Sequence, residues 1–145
     1  MVAVAPPTSE ILATLSAYGL AASAQRIALL ASVLSTHDRH PSAGDLYRSL
    51  ADQFPTLSRA TIYNNLSALA TAGLIEKLDT PDGSRYGPVA RPHVNLVCTE
   101  CGAIRDVLVG DSQLGILVER AAAAGTFKAQ TVSVCISGFC AGCRG

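Results

Sequence analysis

The sequence predicts an α+β chain in two parts, a helical first half closed by a hairpin and a smaller α/β second half. Three observations carry this. Apolar residues repeat at helical spacing through the first half and at mixed spacing after Pro92. Two prolines and a glycine crowd the segment from Gly87 to Pro92, the composition of a hinge. All five cysteines, Cys98, Cys101, Cys135, Cys140 and Cys143, follow that segment. The expected boundaries are therefore 1–86, a hinge at 87–92, and 93–145.

Each element has a local cause. Thr8 opens a short helix with Ile11, Leu12 and Leu15 inward, and Gly19 closes it. Ser23 caps a second helix with an expected stripe of Ile27, Leu30, Ala31 and Leu34. Pro41-Ser42 starts a third, with Asp45 three residues after the cap and Leu46, Tyr47 and Leu50 inward. Ser58 caps a fourth, which runs to about Ala72 ahead of Gly73. Leu74–Leu78 and Arg85–Val89 flank the turn tetrapeptide Thr80-Pro81-Asp82-Gly83, so a hairpin follows. In the second half, Val94 and Leu96, then Ala103–Val107, read as short strands around the first cysteine pair. Asp111–Ala124 reads as a helix with Leu114, Leu117, Val118 and Ala121 on one face. Gln130–Ser137 reads as a strand, Val132, Val134 and Ile136 on one side and Thr131, Ser133, Cys135 and Ser137 on the other.

Composition excludes several classes. Apolar residues are 49% of the chain, aromatics only 5%, and Trp is absent, so a core must come from aliphatic side chains. Eleven basic residues balance eleven acidic ones, which excludes nucleic-acid binding by bulk charge but not by a local face. No apolar run reaches membrane-spanning length, and Met1–Pro7 lacks the basic start of a signal peptide. A cytoplasmic protein without a membrane segment is expected.

The fourth helix carries the first functional signal. At 100° per residue, Ile62, Leu66 and Leu69 fall within about 60° of one another and face the core. Ala60, Asn64, Ser67 and Thr71 point outward, flanked by Arg59, Thr61 and Tyr63, and no acid lies on that face. Helices two to four with the hairpin make a winged helix-turn-helix, whose fourth helix suits a DNA major groove.

The cysteines carry the second. Cys98-Thr-Glu-Cys101 and Cys140-Ala-Gly-Cys143 are paired knuckles, each able to present two thiolates to one ion. Four protein ligands leave no open position, so the zinc is expected to be structural, a staple for a half too small for a large core. Cys135 is left over, and its strand parity with Thr131, Ser133 and Ser137 marks it as a candidate redox thiol.

Taken in order, Gly19-Leu20, Gln25-Arg26, His40-Pro41-Ser42-Ala43, Leu46-Tyr47, Ala60-Thr61-Ile62-Tyr63-Asn64-Asn65-Leu66, Gly73-Leu74-Ile75, Arg85-Tyr86, His93 and Cys98-x-x-Cys101-Gly102 resemble the ferric uptake regulator (Fur) family. The Tyr-Asn-Asn-Leu form and Asp106 look more like its peroxide-sensing PerR branch. The resemblance implies a homodimeric, metal-responsive repressor whose C-terminal halves pair and whose winged helices read an A/T-rich palindrome in double-stranded DNA. It assigns Tyr63 to thymine methyls, Asn64 to a base edge, and Arg59, Thr61 and Arg85 to phosphates. Ala21 stands where relatives place a basic residue, and Arg26 has an alternative role as a structural salt-bridge partner.

The regulatory metal of the family, Fe(2+) or Mn(2+), is implied to use positions that fall here on His40, Gly87, His93, Asn95 and Asp106. Gly87 replaces an expected carboxylate and Asn95 an expected His; Val132 replaces the His of an accessory site. No Asp or Glu occurs from Gly83 to Thr99, so no local neighbour is expected to supply the carboxylate. His40, His93 and Asp106, with the Asn95 amide, form a reduced set that suits Fe(II) and leaves positions open to oxidants. The alternative is a metal-blind or thiol-redox-regulated DNA-binding dimer, with Cys135 or the zinc thiolates as the switch. His37 reads as a loop residue. An enzyme is not expected: His93-Val94-Asn95 has no acid to shuttle protons, and Cys101-Gly102 leads into a strand rather than a helix.

Overall fold

The computed structural model describes residues 5–36, 40–89, 93–129 and 132–145. It divides into two compact units, Met1–Val89 and Ala90–Gly145. His37 and the beginning of the last expected strand, Gln130 and Thr131, lie outside the described residues.

The first unit runs α1 (Thr8–Ala17), α2 (Ala24–Leu34), α3 (Ala43–Leu50), α4 (Arg59–Thr71), β1 (Ile75–Thr80) and β2 (Gly83–Pro88). Side-chain caps start three of the four helices. Ser23, Ser42 and Ser58 each accept a backbone N–H from three residues on, satisfying a donor that the helix leaves open. At α3 the cap is reciprocal, because the Asp45 carboxylate accepts from both the backbone N–H and the hydroxyl of Ser42. Those two bonds, the hydroxyl's first, hold the Asp45 carboxyl below its ordinary range. Gly19 and Gly73 end α1 and α4 in the left-handed region, at φ +68° and +79°.

The core is aliphatic. Ile11 and Leu15 of α1, Leu29, Leu30 and Val33 of α2, Leu46 and Leu50 of α3, and Ile62, Leu66 and Leu69 of α4 are buried in one cluster. The stripe expected on α2 is rotated: Leu29 and Val33 are fully buried, while Ile27, Ala31 and Leu34 only flank the core. With α1, α4 and the hairpin all packing on α2, its apolar arc is wider than one stripe. Tyr47, expected inward, is half-buried at the margin of the cluster.

The hairpin is tighter than expected. Thr80 pairs with Gly83, so only Pro81 and Asp82 make the turn, and the ladder continues to Ile75 opposite Pro88. Gly87 and Pro88 are therefore strand residues rather than hinge residues.

The second unit contains β3 (His93–Cys98), β4 (Ile104–Leu108), α5 (Asp111–Ala124) and β5 (Val134–Gly138). Its sheet is ordered β4-β3-β5; β3 and β4 are antiparallel, and β5 runs parallel to β3. A parallel neighbour needs a crossover, and α5 lies within it. Here the expected faces are only partly covered. Leu114 and Val118 are half-buried, whereas Leu117 and Ala121 are exposed, as is Ile136 on β5. Among the described residues of this unit, the buried apolar side chains are Val97 and Cys98.

Candidate metal centre and nucleic-acid interface

The two knuckles converge as the spacing predicts. Cys98 ends β3, Cys101 sits in the turn behind it, and Cys140 and Cys143 follow β5, which pairs with β3. The four Sγ atoms all lie within 4.8 Å of one another, and Cys101 and Cys140 are 3.8 Å apart. Zinc–sulfur bonds of about 2.3 Å in a tetrahedron put sulfurs about 3.8 Å apart, so the donor set fits one Zn²⁺. Backbone N–H groups of Cys101, Cys140 and Glu100 point at Cys98 and hold its thiol down at about 6. Cys143, crowded first by the Cys140 thiol and then by Cys101, is pushed up to about 12. Four adjacent thiols resist joint ionisation until a cation neutralises them, which ties zinc binding to proton release. The zinc site is structural.

On α4 the outward face is as calculated. Tyr63 is 57% exposed, and Arg59, Asn64, Ser67 and Thr71 are exposed with it. The Arg59 guanidinium lies over the Tyr47 ring, 4.9 Å from its centroid, a cation–π contact that orients the charge without burying it. The Thr61 hydroxyl is 2.8 Å from the Ser58 hydroxyl at the helix start. Arg85, which the resemblance assigns to a phosphate, makes contacts within its own unit. It is half-buried, its Nη1 lies 3.5 Å from an Asp45 oxygen, and its backbone bridges to Ser42, so it braces the hairpin against the α3 cap.

One pair was not legible in the sequence. Asn65 is buried; its Oδ1 accepts from Arg26 Nε at 2.8 Å, and its Nδ2 donates to the Thr61 carbonyl at 3.0 Å. Arg26 also donates to the Ala21 carbonyl at 2.7 Å. The two asparagines of Tyr-Asn-Asn-Leu thus divide, Asn64 facing out and Asn65 fixing α4 to α2. Removing a buried partner leaves a desolvated polar group behind, at about 1–3 kcal/mol. Asn65→Ala is therefore expected to lower unfolding stability by about that amount in denaturant titration. An unchanged midpoint would show that the Arg26 bond contributes nothing.

The residues assigned to a regulatory metal fall in both units. In the second, Asn95 is 0% exposed, sits directly opposite Asp106, and is two residues from His93, so all three share one face of the β3–β4 ladder. Cys135 stands opposite Asn95 on the other neighbour strand and is exposed. In the first, His40 is buried, with Nε2 3.7 Å from Glu76 Oε1. Glu76 pairs directly with Gly87. No acid lies near Gly87 along the chain, but strand pairing sets Glu76 opposite it.

Among the described residues no helix is long and apolar enough to cross a membrane. The ferric uptake regulator family model matches residues 17–137. A peroxide-responsive repressor, PerR, of Staphylococcus aureus is 37% identical over 98 residues, which cover 67% of this chain and 66% of the relative. The match thus spans just under two thirds of that relative. The Helicobacter pylori ferric uptake regulator covers 97% of this chain and 96% of its own at 22% identity, with a TM-score of 0.68, a likeness of fold. The Campylobacter jejuni peroxide stress regulator is 28% identical, covering 72% of this chain and 91% of its own, with a TM-score of 0.61. With the family model matched across most of its length, the chain belongs to the ferric uptake regulator family.

Proposed function

We propose that this chain is a sequence-specific, DNA-binding transcriptional repressor that acts as a homodimer and responds to Fe(2+) or Mn(2+), with peroxide as the oxidant that releases it. The observation that carries the reading is the acid-free, exposed face of α4 on a helix held by Arg26 and Asn65. Tyr63 and Asn64 read base edges, while Arg59 and Thr61 hold phosphates. Arg85 positions the hairpin and offers its remaining exposed surface to the backbone. Leu108, Leu117, Ile136 and Phe139 are exposed on a unit with little core of its own, which supports pairing of two second units.

The sensing ion draws on His93, Asn95 and Asp106 from their shared sheet face. One imidazole, one amide oxygen and one carboxylate on that face are donors that first-row divalent ions accept. A bound Fe(2+) would supply redox reactivity; the protein's own part is to hold those donors.

Selection from a random duplex library, with and without Mn(II), tests the reading. The expected product is an A/T-rich palindrome with half-sites spaced for a two-fold dimer. Enrichment should need Mn(II) and vanish in His93→Ala. No enriched sequence under either condition would sink the proposal. Exposed Cys135 favours a second reading, thiol-redox control. Metal-independent enrichment that is lost on peroxide treatment and retained in Cys135→Ser would establish it instead.

A further inference from the structure

We propose that Tyr47 is a positioning residue for DNA binding, its ring face holding the Arg59 guanidinium ready for a phosphate. The inference rests on the reading of Arg59 as a phosphate contact and adds a residue, on another helix, through which that contact is set.

The described arginines of the first unit are held in different ways. Arg26 donates to Asn65 and to the Ala21 carbonyl. Arg48 and Arg85 both pair with Asp45, whose carboxylate offsets their charge. Arg59 instead lies over the Tyr47 ring, 4.9 Å from its centroid. A ring face attracts a guanidinium through its quadrupole but brings no countercharge, and it leaves the N–H donors for another acceptor. Tyr47 is itself anchored: it sits on α3, which packs on α4, and is half-buried against the core cluster. Arg59 is the first residue of α4 and is exposed. Helix stability does not account for that placement. A cation at the positive end of a helix is disfavoured, and the first turn of α4 has no acid to offset it. A phosphate supplied by a duplex removes the conflict. Because the ring holds the long side chain beforehand, less freedom is lost when the phosphate arrives.

The test is fluorescence anisotropy of the full-length, zinc- and Mn(II)-loaded protein on two labelled duplexes, the selected operator and a mixed-sequence control, at fixed salt. Melting temperature is measured on every variant. An exposed cation–π contact corresponds to about a two- to fivefold change in a binding constant. Tyr47→Leu, carried by both protomers, should therefore weaken operator binding by about fivefold to thirtyfold. The control should weaken by a similar factor, since phosphates are common to both duplexes. Tyr47→Phe keeps the ring face and should bind within about twofold of the wild type. Arg59→Gln should weaken both duplexes and lower the log–log salt slope by about two, one phosphate for each protomer. In the Arg59→Gln background, Tyr47→Leu should add nothing, because the group it acts through is gone. Should Tyr47→Leu fold poorly, Tyr47→Met takes its place, longer and able to fill more of the ring's space. Wild-type binding by Tyr47→Leu, or an equal loss with and without Arg59, overturns the role of Tyr47 and leaves Arg59 at the phosphate. Tyr47→Phe as weak as Tyr47→Leu overturns it too, since the hydroxyl and not the ring face then matters. Wild-type affinity in Arg59→Gln overturns both assignments.

Discussion

Removing the zinc is expected to unfold the second unit and leave the first folded. The first has an aliphatic cluster drawn from all four of its helices and β1. The second buries few apolar side chains among its described residues, with Leu108, Leu117, Phe127, Ile136 and Phe139 exposed. So little burial cannot offset the entropy of ordering some fifty residues. Four thiolates on one zinc supply on the order of 10 kcal/mol of folding free energy, and the site joins the end of β3 to the segment after β5. Chelation, or Cys143→Ser, should abolish the second unit's strand signal in circular dichroism and break dimers in sedimentation. Helical signal from the first unit should persist. The pH dependence follows from the thiols. Binding must displace the proton from Cys143, held up at about 12, while Cys98, already down at about 6, gives its proton readily. Zinc binding releases protons, so affinity falls as pH falls, and zinc loss should set in on acidification. A second unit that stays folded and zinc-free at neutral pH would show that its packing suffices alone.

Tyr63→Ala is expected to weaken specific operator binding strongly while leaving the fold intact. The ring is more than half exposed and contributes little to the core, so the melting temperature should move by no more than an exposed substitution moves it, within about 0.5 kcal/mol. At the DNA, each lost base contact weakens binding by about 1–3 kcal/mol, and a symmetric dimer loses it twice. Fluorescence anisotropy on the selected operator should therefore show a loss of about thirtyfold or more, because both half-sites carry the substitution. Nonspecific binding, which rests on phosphate contacts, should change far less. Asn65→Ala is the contrasting case: it should weaken both stability and DNA binding, because Asn65 positions α4 rather than touching DNA. Unaltered operator affinity in Tyr63→Ala would remove α4 from the interface.

Periodicity and spacing by themselves determined the elements and the zinc centre. The α4 faces follow from 100° per residue, and the helix ends follow from Ser and Gly at caps, because capping is a contact within one turn. Two C-x-x-C knuckles announce a tetrahedral site, since each turn carries half of the geometry with it. The tertiary structure decided what depends on partners far along the chain. Leu29 and Val33 are core because α2 is covered from several sides, and no single-helix stripe shows that. Asn65 is a strut because Arg26, 39 residues away, reaches its amide. Arg85 lies beside Asp45, 40 residues away in the chain, so it also braces the hairpin against the α3 cap. Glu76 stands beside His40 because the hairpin register sets it opposite Gly87, and register is fixed by pairing across the turn rather than by neighbours in sequence.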